Sequence, residues 1–142
     1  MIQNIIPGQP VTNNRGLYMI PQTPHKNKGE IKMKSNEYFD YARRVADELE
    51  EYAAGTVTDD DGEPLTMWDY VDDALDFEFT VDSRKNYLGA KIYVTLGGPT
   101  VWIDTREKTV ELRWGTDSAT ALLSYDAAEQ LDDTMAEIYG EI

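Results

Sequence analysis

The sequence predicts an α+β fold in which an antiparallel sheet of about four strands, joined as a meander, has the N-terminal and C-terminal helices packed on one face. Two stretches with helical spacing of apolar residues flank a central region in which apolar and polar residues alternate. Turn-forming residues separate the alternating runs at short intervals, which is typical of hairpins. Residues 33–142 are enough for one domain with a modest apolar core, so a single domain is expected there.

The first helix is predicted to run from a cap at Ser35 or Asn36 to about Ala54, with Gly55 as its stop signal. Its apolar residues recur at steps of four and three, which predicts a seam facing the core. The seam comprises Tyr38, Ala42, Val45, Leu49 and Tyr52, and the opposite side carries Glu37, Asp40, Asp47, Glu48, Glu50 and Glu51.

A short second helix is predicted after Thr66, because Thr66 and Asp69 have the spacing of a capping box. Its apolar residues Trp68, Val71 and Leu75 are expected to point towards the core.

The acidic run Asp59-Asp60-Asp61-Gly62 precedes this helix and resembles part of a calcium-binding loop. In that alignment Val57 takes the first ligand position and Asp69 the twelfth, where a bidentate glutamate is required. We therefore expect a solvated acidic turn, with weak non-specific cation binding as the alternative.

Alternation with a period of two predicts the strands of the sheet. The positions expected to face the core are Phe77, Phe79 and Val81, then Ala90, Ile92, Val94 and Leu96, then Val101 and Ile103, then Val110, Leu112 and Trp114. A shorter strand is expected over 120–123. Gly97-Gly98-Pro99 is expected to be a bent hairpin connection and not a phosphate cradle, because a strand follows it and proline has no amide proton.

The last helix is predicted from about Tyr125 to Tyr139, with Ser124 as its cap. Its apolar stripe comprises Ala128, Leu131, Met135 and Ile138. Its solvent side carries Asp126, Glu129, Asp132, Asp133, Glu137 and Glu141.

Residues 1–32 differ in composition from the rest of the chain. They carry four bases and one acid, whereas residues 33–142 carry 26 acids and nine bases, a net charge of −17. The codons of residues 28–33 can form a purine-rich ribosome-binding sequence at ordinary bacterial spacing before a start codon at Met33. We therefore expect residues 1–32 to be a translated upstream leader, or else a disordered arm, and residues 33–142 to be the acidic domain.

The residue types limit the chemistry of the domain. The chain has no cysteine, and its one histidine, His25, lies in the first 32 residues. Cysteine nucleophiles, disulfides and thiolate metal sites are excluded, and residues 33–142 lack the imidazole of a Ser-His-Asp triad. We expect no cofactor and no catalysis. The alternative is an unusual hydrolase in which Glu78 and either Asp104 or Glu111 share a proton, as the acids of glycosidases do.

The charge also limits the partners. A strongly acidic protein repels nucleic acids and anionic membranes, so an electrostatically attracted partner is expected to be basic. No apolar run is long enough for a membrane span, and a cytoplasmic location is expected.

Two sets of residues are candidates for partner binding. On the solvent face of the sheet, Tyr93 and Trp102 are expected beside Lys91, Asp104, Glu111 and Arg113. Exposed aromatics are common at interfaces, although packing between strands, or Arg113 over Trp102, explains them as well. On the helices, carboxylates spaced three, four and seven apart form rows of charge that imitate a phosphate backbone. The predicted partner-binding residues are Tyr93, Trp102, Asp104, Glu111, Asp132, Asp133 and Glu137.

The segment Leu96-Gly97-Gly98-Pro99-Thr100-Val101-Trp102-Ile103-Asp104-Thr105, followed by Val110-Glu111-Leu112-Arg113-Trp114-Gly115-Thr116-Asp117 and an acidic terminal helix, resembles small acidic proteins carried by phages and conjugative elements of gut bacteria. The resemblance covers about residues 65–142 and includes no motif tied to a reaction. It implies cargo of mobile DNA that counters host defence, as anti-CRISPR proteins do.

These observations favour a non-enzymatic inhibitor, of the anti-CRISPR or anti-restriction kind, that occupies a basic surface of a nucleic-acid-binding defence complex in the host bacterial cell. The expected partner is a protein such as a CRISPR effector, with no direct contact to nucleic acid or membrane. The alternative is a general protein-interaction or regulatory module of a mobile genetic element that does not mimic DNA.

Overall fold

The structure, a computed structural model, describes residues 35–142. The predictions for residues 1–32 lie outside the described residues. The helix α1 includes Ser35 and Asn36, so the predicted caps belong to the helix and do not precede it. The elements in chain order are α1 Ser35–Ala54, α2 Met67–Asp72, β1 Asp76–Val81, β2 Tyr87–Thr95, β3 Thr100–Asp104, β4 Thr109–Trp114, β5 Asp117–Leu122 and α3 Tyr125–Gly140.

The five strands form one antiparallel sheet in the order β1-β2-β3-β4-β5, so the predicted α+β meander is confirmed with one strand more than expected. The additional strand is β5. It was expected only as a shorter strand over 120–123, but it pairs residue by residue with β4 from Asp117 to Leu122. The sequence Asp-Ser-Ala-Thr-Ala-Leu has few large apolar residues, so its period is weak. Its place in the sheet depends on the turn at Gly115, which has a φ of +61° that favours glycine.

The helices cover one face of the sheet. The helix α1 packs on β4 and β5, α3 packs on β2, and α2 contacts both longer helices. All five residues of the predicted α1 seam are buried, and Leu131 and Met135 of α3 are fully buried against the same core. The sheet contributes Ala90, Ile92, Val94, Val101, Ile103, Val110 and Leu112. The opposite face of the sheet carries no helix among the described residues.

Four apolar residues do not face the core as the sequence pattern predicts. Trp68 is 39% exposed and Leu75 is 61% exposed, because α2 is only six residues long and buries Met67, Tyr70 and Val71 instead. Val81 is 38% exposed beside a register shift in β1, and Leu96 is 54% exposed because β2 ends at Thr95.

The orientation of α2 follows from Tyr70. Its ring packs edge-on against the ring of Tyr52 in α1, with 5.0 Å between centroids. The helix has fewer than two turns, and this contact lies on the same side as the buried Met67 and Val71. The predicted capping box is confirmed, with Thr66 and Asp69 bonded to each other's backbone N–H groups.

Glu50 has a structural contact that the helical pattern does not reveal. Its carboxylate accepts hydrogen bonds from the backbone N–H of Ser124 at 2.7 Å and from the Ser124 hydroxyl at 2.6 Å. The Ser124 oxygen also accepts from the N–H of Ala127, which confirms Ser124 as the cap of α3. Glu50 therefore connects α1 to the beginning of α3 and does not lie free on a solvated face.

Replacing Glu50 by alanine is expected to lower the free energy of unfolding by about 1–2 kcal/mol, because two hydrogen bonds to a charged and partly exposed acceptor are lost. Glu51→Ala is the matched control, since Glu51 is exposed on the next position of the same helix; it should change stability by less than about 0.5 kcal/mol. Urea denaturation followed by circular dichroism measures both. Equal values for the two variants would contradict the connecting role of Glu50.

Candidate protein-interaction surfaces

The charge of the molecule is divided unequally between its two layers. Residues 35–75, which include α1 and α2, contain thirteen acids and two bases, and residues 123–142, which include α3, contain six acids and no base. The sheet and its hairpins, residues 76–122, contain seven acids and six bases. Nearly all the net negative charge therefore belongs to the helical side of the molecule, and the sheet is close to neutral.

The exposed side of α3 carries the most regular part of this charge. We call it the α3 acidic row; it comprises Asp126, Glu129, Asp133 and Glu137, which are all exposed. Their spacing of three, four and four residues places them on one side of the helix over about 16 Å of its length. No lysine or arginine follows Arg113 in the sequence, so no basic side chain of α3 neutralises the row.

Asp132 was predicted to act with Asp133 and Glu137, but it lies on a different side of α3. It is half-buried, and its Oδ1 accepts a hydrogen bond of 2.7 Å from the Tyr87 hydroxyl of β2. Burial, and then the hydrogen bond to Asp132, raise the pKa of Tyr87 well above its ordinary value. Phe79 and Tyr139 pack around Tyr87. Asp132 thus helps to hold α3 on the sheet, while Asp133 and Glu137 remain available to solvent.

The outer face of the sheet has an aromatic pair at its centre. Tyr93 and Trp102 are direct partners in the β2–β3 register, and their rings are 6.1 Å apart. Both side chains are half-buried. Lys91 and Arg113 lie about the indole of Trp102, at 6.0 and 5.9 Å from the ring centroid. The predicted position of both aromatics on the outer face is confirmed, and so are their packing between strands and the contact of Arg113 with Trp102. Part of each ring remains exposed.

The two predicted acids of this face make internal hydrogen bonds. Asp104 accepts from the backbone N–H groups of Arg106 and Glu107 at 2.9 and 3.0 Å, and so holds the β3–β4 turn. Glu111 accepts from the hydroxyls of Thr109 and Thr120 at 2.7 and 2.8 Å. These contacts give both carboxylates a structural role within the sheet.

The strand register also bears on the hydrolase alternative. Glu78 is opposite Lys91, and Lys91 is opposite Asp104. The two acids are therefore two strands apart, roughly 10 Å, with a lysine between them. Glu111 lies one strand further away. The register does not bring the predicted carboxylate pairs together to share a proton.

The acidic turn before α2 is held by its own carboxylate. Asp59 Oδ1 accepts from the backbone N–H groups of Asp61 and Glu63 at 2.8 and 2.9 Å. Residues 35–142 contain no group of three or more histidine, cysteine, aspartate or glutamate side chains arranged to hold a metal ion. An open cleft of about 380 Å³ lies beside this turn, lined by Tyr52, Val57, Thr58, Leu65, Asp69, Asp72 and Asp73.

The seven predicted residues therefore do not form one site. Asp133 and Glu137 belong to the helical side, Tyr93 and Trp102 belong to the outer face of the sheet, and the other three have internal structural contacts. The helices lie on the inner face of the sheet, so the two surfaces point in opposite directions. Asp126 and Glu129 were expected on the solvent side of α3 but not among the partner-binding residues, although their spacing to Asp133 and Glu137 is the signal that groups the four.

Comparison of the chain with protein-family models, with curated proteins and with solved structures finds no match. Within residues 35–142, none of the helices is both long enough and apolar enough to cross a membrane.

Proposed function

We propose that this protein is a non-enzymatic inhibitor of a nucleic-acid-binding host defence complex, of the anti-CRISPR or anti-restriction kind. In this proposal the helical side occupies a basic surface that otherwise holds nucleic acid. One observation carries the proposal, namely the concentration of net negative charge on the helical side, including the α3 acidic row without a neutralising base.

A charged layer of this kind acts in two ways. A surface of one sign attracts a surface of the opposite sign over distances up to the Debye length, about 8 Å at physiological ionic strength, and so accelerates association. Once bound, the carboxylates take the positions of phosphates and exclude nucleic acid from the same basic residues. Both effects weaken as salt increases.

The outer face of the sheet favours a second candidate function, a general protein-interaction module of a mobile genetic element. Half-exposed aromatics at the centre of a nearly neutral surface are typical of binding sites that do not depend on charge. In this case Trp102 and Tyr93 would contact the partner, and the acidic helices would serve solubility.

Competition for nucleic acid distinguishes the two functions. Purified CRISPR effector complexes and restriction enzymes are titrated with labelled target DNA, or guide RNA, with and without the full chain, and fluorescence anisotropy reports the bound fraction. The proposed inhibitor should bind at least one of these proteins and reduce its engagement of nucleic acid. Binding that leaves nucleic-acid engagement unchanged would support the interaction module instead. Failure to bind any member of a broad panel would count against the proposal.

The competition experiment includes a matched control variant of this protein. The variant Asp60→Asn, Asp61→Asn, Glu63→Gln removes three charges from the loop before α2 and leaves the α3 acidic row intact. It should retain most of the inhibition, because binding to a basic groove depends on the charges at the contact surface and not on the net charge of the whole molecule.

A further inference from the structure

The two edges of the sheet differ in how well they are protected against pairing with another strand. The β1 edge carries Asp76 and Glu78, and a register shift between Thr80 and Val81 interrupts its ladder. Charged side chains and irregular strands are the usual means by which proteins prevent edge-to-edge association. The β5 edge is less protected: its one charged residue, Asp117, is at the first position, residues 118–125 contain no charged side chain and no proline, and the pairing with β4 is regular.

The free hydrogen-bonding groups of β5 follow from its register. The N–H of Leu123 donates to the carbonyl of Lys108, so this pair belongs to the hydrogen-bonded positions of the β4–β5 ladder. In an antiparallel ladder such positions alternate with positions whose N–H and C=O groups point away from the partner strand. Ser118, Thr120 and Leu122 therefore direct their backbone groups towards the open edge.

Residues 35–142 provide no strand that pairs with this side of β5, because β5 is the last strand of the sheet. The side chain at the end of the strand, Leu122, is 68% exposed, and the neighbouring Tyr125 is 67% exposed. An added strand would satisfy the backbone groups and cover part of this apolar surface.

We propose that β5 pairs antiparallel with β5 of a second copy of this chain, about a two-fold axis at Thr120, so that one sheet continues through two molecules. A second copy fits because the strand is complementary to itself. Thr120 lies opposite Thr120, a favourable cross-strand pair, and Ser118 lies opposite Leu122. On the inner face the opposed residues are Ala119 and Ala121, whose small side chains permit close approach.

The charge of the molecule is compatible with this meeting point. Residues 35–142 have 26 acids and eight bases, so two copies repel each other, most strongly through their helical sides. Pairing through β5 brings uncharged side chains of the two strands together, and it keeps the α3 acidic row of each copy away from the axis because α3 packs towards β2. The helix α1 packs on β4 and β5, so its acids lie nearer the axis. The remaining long-range repulsion has a consequence: salt should strengthen this association, whereas it should weaken binding to a basic partner.

The test is the molar mass of the full chain, measured by light scattering and sedimentation over a range of protein concentrations, in about 0.05 M and about 1 M salt. We expect a concentration-dependent dimer whose dissociation constant falls severalfold at the higher salt. Thr120→Pro removes the outward N–H at an edge position and should weaken the dimer at least tenfold.

Two further variants separate pairing from folding. Thr120→Val loses the hydrogen bond of the hydroxyl to Glu111 but keeps the backbone N–H, so it should remain dimeric. Thr120→Glu keeps the backbone N–H but places two carboxylates opposite each other across the axis, so it should weaken the dimer even if the proline variant does not fold. Circular dichroism melting verifies the fold of each variant.

A chain that remains monomeric under all these conditions would overturn the proposal, whether its β5 edge is open or occupied by another segment of the same chain. A dimer that is unaffected by both the proline and the glutamate variants would overturn it as well, because such a dimer would form through another surface. Neither result depends on the host defence target, so the failure of this inference is distinguishable from the failure of the proposed function.

Discussion

Replacing Leu112 by alanine is expected to lower the free energy of unfolding by about 2–5 kcal/mol, the usual cost of removing a buried leucine side chain. Leu112 is 1% exposed on the inner face of the sheet. It is opposite Val101 of β3 and Ala119 of β5, so the cavity would open where three strands and α1 meet. Urea denaturation followed by circular dichroism measures the change.

Trp68→Ala is the informative comparison for this prediction. Tryptophan is larger than leucine, and the apolar pattern of α2 predicted that Trp68 would be buried. Because its side chain is 39% exposed, the variant should cost clearly less than Leu112→Ala, about 1 kcal/mol. If Trp68→Ala were as destabilising as Leu112→Ala, the orientation of α2 described above would be wrong.

Neutralising the α3 acidic row is expected to slow association with the defence protein about tenfold or more at low salt. The variant is Glu129→Gln, Asp133→Asn, Glu137→Gln, which preserves side-chain shape and removes three charges. Asp132 is left unchanged because it holds Tyr87, and Asp126 because it accepts a hydrogen bond from Gln130. Association and dissociation rates for the defence protein identified by competition are measured by biolayer interferometry at several salt concentrations.

The rates separate attraction by charge from contact by shape. Neutralisation of the row should act mainly on the association rate and flatten its salt dependence, because long-range attraction acts before contact. The matched loop variant at Asp60, Asp61 and Glu63 should retain most of the association rate. Trp102→Ala should leave the rates unchanged if the helical side binds. Faster dissociation of the Trp102→Ala variant, together with an association rate that does not change when the α3 acidic row is neutralised, would favour the interaction module instead.

Much of the architecture was predictable because it depends on local patterns. The seam of α1 follows from the helical period, because a helix that packs on a core buries the apolar residues that recur at this spacing. The caps at Thr66 and Ser124 follow from side chains that form hydrogen bonds with nearby backbone groups. The alternation in β2, β3 and β4 likewise determines which residues can face one layer of helices. The class of fold and most of the core were therefore accessible from residue spacing.

The candidate surfaces were less predictable, because their composition depends on contacts between distant residues. The sequence by itself determined that the domain is acidic, and that aromatic residues lie on the solvent side of β2 and β3. Only the tertiary structure decided that Asp132 bonds to Tyr87, 45 residues away, while Asp133 remains exposed. It also decided that Glu50 bonds to Ser124, 74 residues away, and that β5 is an open edge. Helical periodicity tells which side of a helix faces the core, but a residue at the border of that side acquires its role from the element packed beside it.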